Sequence, residues 1–166
     1  EDGIRDDLVT GVQTCALPIY DPEITYDNWI IKFRSGSDPK DIGSIEYAYH
    51  LMAREAGLDV PEAKLFKSKK CDGYFGVKRF DRQKSEFKHM HTIAGLLHAD
   101  HRIPTLDYEI LLKATLHLTK DIQECEKQFR QMVFNIFSHN RDDHSKNFSF
   151  LMDKNGKWKV SPAYDL

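Results

Sequence analysis

The stretch FNIFSHNRDDHSKNFSFLMD (134–153), continued a few residues later by WKVSPAYDL (158–166), decides how this chain is read. Its first residues close a run in which apolar side chains return at helical spacing. That run predicts a long helix over 121–137, with Cys125, Phe129, Met132, Val133, Ile136 and Phe137 as its buried stripe. His139 to Asn147 then breaks the period with charged and amide side chains. After it, Phe148–Met152 and Lys157–Val160, separated by a turn at Asp153–Gly156, read as a β-hairpin.

Working outward from this stretch, Asn28–Phe33 is a short β-prone run that carries Lys32. Arg34–Gly43 is rich in Ser, Gly, Asp and Pro and is expected to be a loop. Ser44 is placed to cap a following helix that Gly57 ends, with Ile45, Ala48, Tyr49, Met52, Ala53 and Ala56 as its apolar face. Val60–Phe66 and Gly73–Phe80 read as two strands around a turn at Lys69–Gly73. His91–Ala99 is a short helix candidate, and Thr105 is placed to cap another over about 106–118. No internal repeat occurs. A β-rich part followed by helices and a hairpin predicts an α+β, two-lobed architecture rather than an alternating βαβ sheet.

The whole chain has 166 residues, 40% hydrophobic and 30% charged, the balance of an ordinary globular domain. Its net charge of −2 gives no reason to expect unaided nucleic-acid binding. No apolar run reaches the roughly 18 residues of a membrane span, so no membrane role is expected. Residues 1–19, EDGIRDDLVTGVQTCALPI, show no helical or alternating period and lack the basic start of a signal peptide. They resemble the conceptual translation of a sequencing-library adapter and are set aside as non-native. Cys15 goes with them. Cys71 and Cys125 remain, far apart and outside any CxxC, which fits a reduced cytoplasmic protein without a zinc site.

Three separated pieces carry candidate chemistry. Lys32 sits in an apolar strand; taken alone, it reads as an edge lysine with a packed stem and a solvated ammonium. Asp142 and Asn147 stand five apart, the D-x-x-x-x-N spacing of a kinase catalytic loop. There the Asp accepts or orients the proton of the attacking hydroxyl, and the Asn offers a neutral oxygen to Mg²⁺. Asp143 is the poorer match and reads as a loop-stabilising carboxylate. Lys146 is placed to neutralise a transferring phosphoryl group, and His144 reads as an organiser of the loop. Asp165 follows the hairpin, where kinases carry a second metal-binding Asp; alone it is a turn or capping residue. Phosphoryl transfer needs a cation, oxygens that hold a metal, and an oriented hydroxyl, and these pieces supply all three in kinase order.

On these residues the chain resembles the C-terminal kinase region of the HipA family of bacterial toxin serine/threonine kinases. The resemblance is carried by 134–153, by WKVSPAYDL, by GVKRFDR (76–82), and by WIIKF with EAGLDVPEAKL (55–65), and it runs from about Trp29 to Leu166. It implies a partial protein-kinase-like fold, with an N-lobe remnant and hinge over 20–82 and a C-lobe over 83–166. It implies ATP and Mg²⁺ as cofactors, with Lys32 on the nucleotide phosphates, Asp142 catalytic, and Asn147 and Asp165 on the metal. Val77, Lys78 and Phe80 would lie at a hinge beside adenine, and Glu46 would pair with Lys32. Arg79–Arg82 would brace the lobe junction.

The same resemblance implies a cytoplasmic toxin–antitoxin setting. The acceptor would be a hydroxyl on a protein of the translation machinery. The partner would be a helix-turn-helix antitoxin, through which DNA is met indirectly. The family's phosphate loop and regulatory serine lie upstream of the strand lysine, where residues 1–19 stand here, so neither is located. The chain is expected to be truncated at both ends and inactive by itself. The other readings are a small-molecule or lipid kinase of similar lobe design, an inactive kinase-like binding module, and a metal-dependent phosphohydrolase using His139, Asp142, Asp143 and His144.

Overall fold

The computed structural model describes residues 27–83, 86–98 and 107–166. The segment 1–19 and Thr105 lie outside these. The first sheet is built from three short strands, β1 (Trp29–Lys32), β2 (Ala63–Phe66) and β3 (Tyr74–Lys78). Their order is β1-β3-β2 and both pairings are antiparallel, with Lys32 opposite Phe75 and Phe66 opposite Tyr74. Among the described residues β1 is an edge strand, and Lys32 ends it.

Helix α1 (Ile42–Glu55) packs against β2 and β3. It begins at Asp41, before Ser44, because the turn at Pro39 already starts the coil: the Ile42 amide donates to the Pro39 carbonyl and the Ile45 amide to that of Asp41. Gly43 is required where α1 meets the β2–β3 connection, since a Cβ there would sit 2.3 Å from the Gly73 carbonyl oxygen. Gly57, with φ of 80°, lets the chain leave the helix as predicted.

The buried face of α1 differs from the expected one. Ile45 and Met52 are exposed, while Gly43, His50 and Ala53 are buried and Glu46 shares their side. Close approach to β3 fixes the rotation of the helix, and that approach needs Gly43 inward.

The small ladder β4 (Arg82–Gln83) with β5 (Glu86–Phe87) leads to β6 (His89–Thr92), which pairs with β7 (Ser149–Met152). β7 and β8 (Trp158–Val160) form the predicted hairpin, and Asp153 tightens its turn by accepting from the amides of Asn155 and Lys157. His91 and Thr92 were expected in a helix. They extend instead, because β7 offers them a ladder that local sequence does not announce. Thr92 then caps a single turn, α2 (Ile93–Leu96), by accepting from the Gly95 amide.

Helices α3 (Tyr108–Thr119) and α4 (Ile122–Phe137) form an antiparallel pair over this sheet. Asp107 caps α3 through the Ile110 amide, Lys120 ends it in the left-handed region, and Asp121 caps α4 through the Gln123 amide. Ile93, Leu111, Phe148, Phe150 and Val160 form the core between helices and sheet. Full burial of a side chain such as Phe150 contributes about 2–3 kcal/mol.

On α4 the expected stripe holds at Cys125, which is buried, and fails at its other end. Phe129, Ile136 and Phe137 are exposed, whereas Glu124, Cys125, Gln128, Gln131, Phe134 and Asn135 face inward. Glu124 faces inward for a specific partner: its carboxylate accepts the Val160 amide at 2.7 Å and so ties α4 to β8, whereas the buried Gln128 amide has no hydrogen-bond partner among the described residues.

Candidate active site

β1, α1 and the segment after β8 converge on one cleft. Lys32 Nζ donates to Glu46 Oε1 at 2.9 Å and to Asp165 Oδ1. Glu46 lies one helical turn beyond Gly43, so the close approach that demands the glycine also brings the carboxylate to the strand. Asp165 reaches the same ammonium from the end of the chain, with its backbone in the left-handed region at φ of 57°. Burial alone lowers the Lys32 pKa. The charges of Asp165 and Glu46, with their hydrogen bonds, outweigh it and hold the ammonium above its usual range.

The polar loop approaches Asp165 from the other lobe. Asn147 is 5% exposed, and its Nδ2 donates to the Asp142 carbonyl at 2.8 Å and to the Asp165 carbonyl at 3.5 Å. Asn147 therefore joins both acidic positions through their backbones. The Asp142 side chain is 89% exposed, with His144 Nε2 at 4.0 Å from Oδ1. Lys146 is exposed; its carbonyl accepts the Tyr164 hydroxyl at 2.6 Å. Asp143 accepts the hydroxyl of Tyr108, as its loop-stabilising reading requires.

Two cavities share Lys32, Glu46 and Asp165 as a common wall. One, of about 240 Å³, is lined mainly by apolar and aromatic groups, among them Ile30, Phe75, Val77, Met90 and Tyr164. The other, of about 300 Å³, is mixed in character and is lined by Phe33 and Ile42 as well as by Arg34, Ser35, Asp38 and Gly43. Val77 faces the first cavity. Lys78 and Phe80 do not line it: the Lys78 ammonium meets Asp27 at 2.8 Å, and the Phe80 ring packs on Tyr164 at 5.7 Å between centroids. The backbone amides of Lys78 and Arg79 donate to Glu62 and Asn28 carbonyls, so the fold already uses them. Arg79 and Asp81 pair as a fork at the cavity wall, with Nε to Oδ1 at 2.9 Å.

Arg34, His50, Met90 and Tyr164 were missed as cleft residues. Of these, Arg34, two beyond Lys32, and Tyr164, immediately before Asp165, stood beside marked positions. His50 is buried against Phe75, and burial lowers its pKa, so it belongs to the wall as a neutral ring. Asn147 and Asp165 carry oxygen donors of the hard kind that suits Mg²⁺, and the contact between the two residues runs from Asn147 Nδ2 to the Asp165 backbone carbonyl. Among the described residues no group of three or more His, Cys, Asp or Glu side chains is placed to hold a metal ion, so the hydrolase set at 139–144 is not gathered. No helix among the described residues is long and apolar enough to cross a membrane.

A small sheet joined to its helix by a lysine–glutamate pair, and a second part of helices and a hairpin that brings Asp165 to that lysine, define an α+β fold of the protein-kinase-like class. Residues 8–166 match the HipA-like C-terminal domain family, and the chain belongs to it. The match starts inside the segment 1–19 and takes in part of it. Two curated relatives are named as candidate kinases. One, Y4dM of Sinorhizobium fredii, is 27% identical over 87% of this chain and 38% of its own length. The other, from Haemophilus influenzae, is 29% identical over 84% of this chain and 44% of its own.

Solved structures agree on the fold. HipA of Shewanella oneidensis, in a complex with HipB and operator DNA, superposes with a TM-score of 0.68 at 20% identity, covering 83% of this chain and 36% of that one. The proinflammatory kinase CtkA of Helicobacter pylori gives 0.64 at 18% identity, covering 84% and 50%. The chain thus spans half or less of each of these proteins.

Proposed function

We propose that this chain carries the phosphoryl-transfer centre of an ATP- and Mg²⁺-dependent protein serine/threonine kinase of the HipA type. The observation that supports it most is the Glu46–Lys32–Asp165 contact at the common wall of a mainly apolar cavity and a second one that also holds Arg34. An apolar slot takes a purine ring, and the cations Lys32 and Arg34 in the adjoining pocket take phosphates. Asn147 and Asp165 would hold the metal, which when bound neutralises charge on the phosphates. Lys32 orients the phosphates and Glu46 keeps the ammonium in place. Asp142, on an exposed turn, accepts the proton of an incoming hydroxyl. Its exposure suits an acceptor as large as a protein, and Lys146 beside it offers a cation to the transferring group.

The acceptor on this reading is a protein of the translation machinery. An antitoxin of helix-turn-helix type is the partner, as HipB accompanies HipA in the complex with operator DNA. The test uses the intact protein and γ-labelled ATP. Asp142→Asn is expected to keep nucleotide binding and to reduce transfer by about 10²- to 10⁴-fold. Retained transfer rejects Asp142. Label on a small alcohol rather than on protein serine or threonine points to a small-molecule kinase, and nucleotide binding without any transfer points to a binding module.

A further inference from the structure

A closed ring of hydrogen bonds holds the loop that carries Asp142. Asn135, 2% exposed near the end of α4, engages both ends of its amide. Its Nδ2 donates to the Tyr108 hydroxyl at 3.3 Å, and its Oδ1 accepts from Asn140 Nδ2 at 3.4 Å. Asn140 Oδ1 in turn accepts the backbone N–H of Asp142 at 3.1 Å. On the other side the Tyr108 hydroxyl donates to Asp143 Oδ2. The circuit closes across the Asp142–Asp143 peptide bond, so the chain is gripped immediately before and immediately after the Asp142 side chain.

Among the described residues that side chain has no short contact of its own, and its exposed carboxylate lies 4.0 Å from the His144 ring. Its direction is therefore set by its backbone. We propose that Tyr108 and Asn135 are positioning residues for Asp142, acting through this ring to aim the carboxylate at the incoming hydroxyl. The inference rests on the kinase reading of Asp142 and adds two residues that neither spacing nor the loop motif marks. Tyr108 suits the task. Burial and the Asp143 carboxylate push its phenol up, so it remains a donor across the working pH range. Its ring stacks edge-on against Phe148 at 6.0 Å, so the hydroxyl can be removed without emptying the core. Misplacing a reacting group by an ångström is enough to slow a reaction on the order of 100-fold.

The experiment compares Tyr108→Phe, Asp143→Ala, Asp143→Asn and the double variant Y108F/D143A in the intact protein. Steady-state transfer and hydrogen exchange over 139–147 are both measured. Tyr108→Phe and Asp143→Ala are each expected to lower kcat by about 10- to 100-fold, with KM for ATP within about threefold. Asp143→Asn keeps an acceptor for the phenol and is expected to retain most activity. The double variant should be no slower than the slower single one, because either change opens the same ring. Exchange at 140–143 should rise in both single variants. Wild-type kcat in Tyr108→Phe overturns the proposal, as does a parallel loss of ATP affinity and melting temperature with no change in the exchange of the loop. If the unaltered protein transfers no phosphate, the kinase reading falls by itself. Exchange then decides the ring, and an unchanged loop in Tyr108→Phe overturns it.

Discussion

The cleft at Lys32 and the loop at 139–147 are held by opposite kinds of force. In the cleft three charged side chains from three elements meet, each between 27% and 43% exposed. In the loop the contacts run through amides and a phenol, and Asn135 and Asn147 are nearly inaccessible. Half-exposed ion pairs are soft, screened by water and salt, and exchange partners at little cost. Buried hydrogen bonds leave few satisfactory arrangements and fix a backbone. On the proposed reading this division is functional. Lys32 and Asp165 satisfy one another here and must turn to phosphate and metal, whereas the loop has to stay where it is.

The contrast breaks first at Lys32. Lys32→Met leaves Glu46 and Asp165 facing each other without a cation. Phosphate transfer is expected to fall by roughly 100-fold or more, and nucleotide affinity by about tenfold. Hydrogen exchange over 139–147 should not change. A rise there would mean that the two regions form one unit. Asp165→Asn has the next largest effect. The Lys32 ammonium keeps Glu46, so the cleft persists, but Mg²⁺-dependent nucleotide affinity should drop by about tenfold. Calorimetry with and without Mg²⁺ reads the difference, and an equal affinity gain from Mg²⁺ in both proteins removes Asp165 from the metal site.

The two regions were not equally legible in the sequence. Loop and hairpin are local, so the spacing from Asp142 to Asn147 and the turn at Asp153–Gly156 showed directly. Lys32, Glu46 and Asp165 are remote along the chain, and only a family resemblance could relate them. Helix faces were legible only in part on α1 and α4: Ala53 and Cys125 are buried as expected, whereas Ile45, Met52, Phe129, Ile136 and Phe137 are exposed. The rule that apolar residues face inward fails where the inward positions work: Glu46 turns toward Lys32, and Glu124 and Asn135 turn toward β8 and the loop. Strand β6 was missed because its partner β7 lies some sixty residues on. Tyr108 gave no signal, and Asn135, although inside the stretch 134–153, was not marked, since a hydrogen-bonded ring across two helices and a loop has no spacing to read.

Between the soft cleft and the stiff loop lies a third kind of contact, the Arg79–Asp81 fork. Its side chains are 19% and 16% exposed, less open than the cleft and less enclosed than Asn135. Burial alone raises the Asp81 carboxyl. The hydrogen bonds and charge of Arg79 outweigh that and set it below its ordinary value near 3.8. A carboxylate lowered on folding adds stability above its unfolded pKa and loses it as pH falls through the folded one. Asp81→Asn is therefore expected to cost about 1 kcal/mol at pH 7, since the amide keeps one hydrogen bond but not the charge. The gap to the unaltered protein should stay constant down to about pH 5 and close below about pH 4, as the native carboxyl is protonated. Urea midpoints between pH 7 and pH 3 measure it. A gap that persists unchanged at pH 3 would show that Asp81 braces the junction by shape and hydrogen bonding, as the loop is braced, and not by its charge.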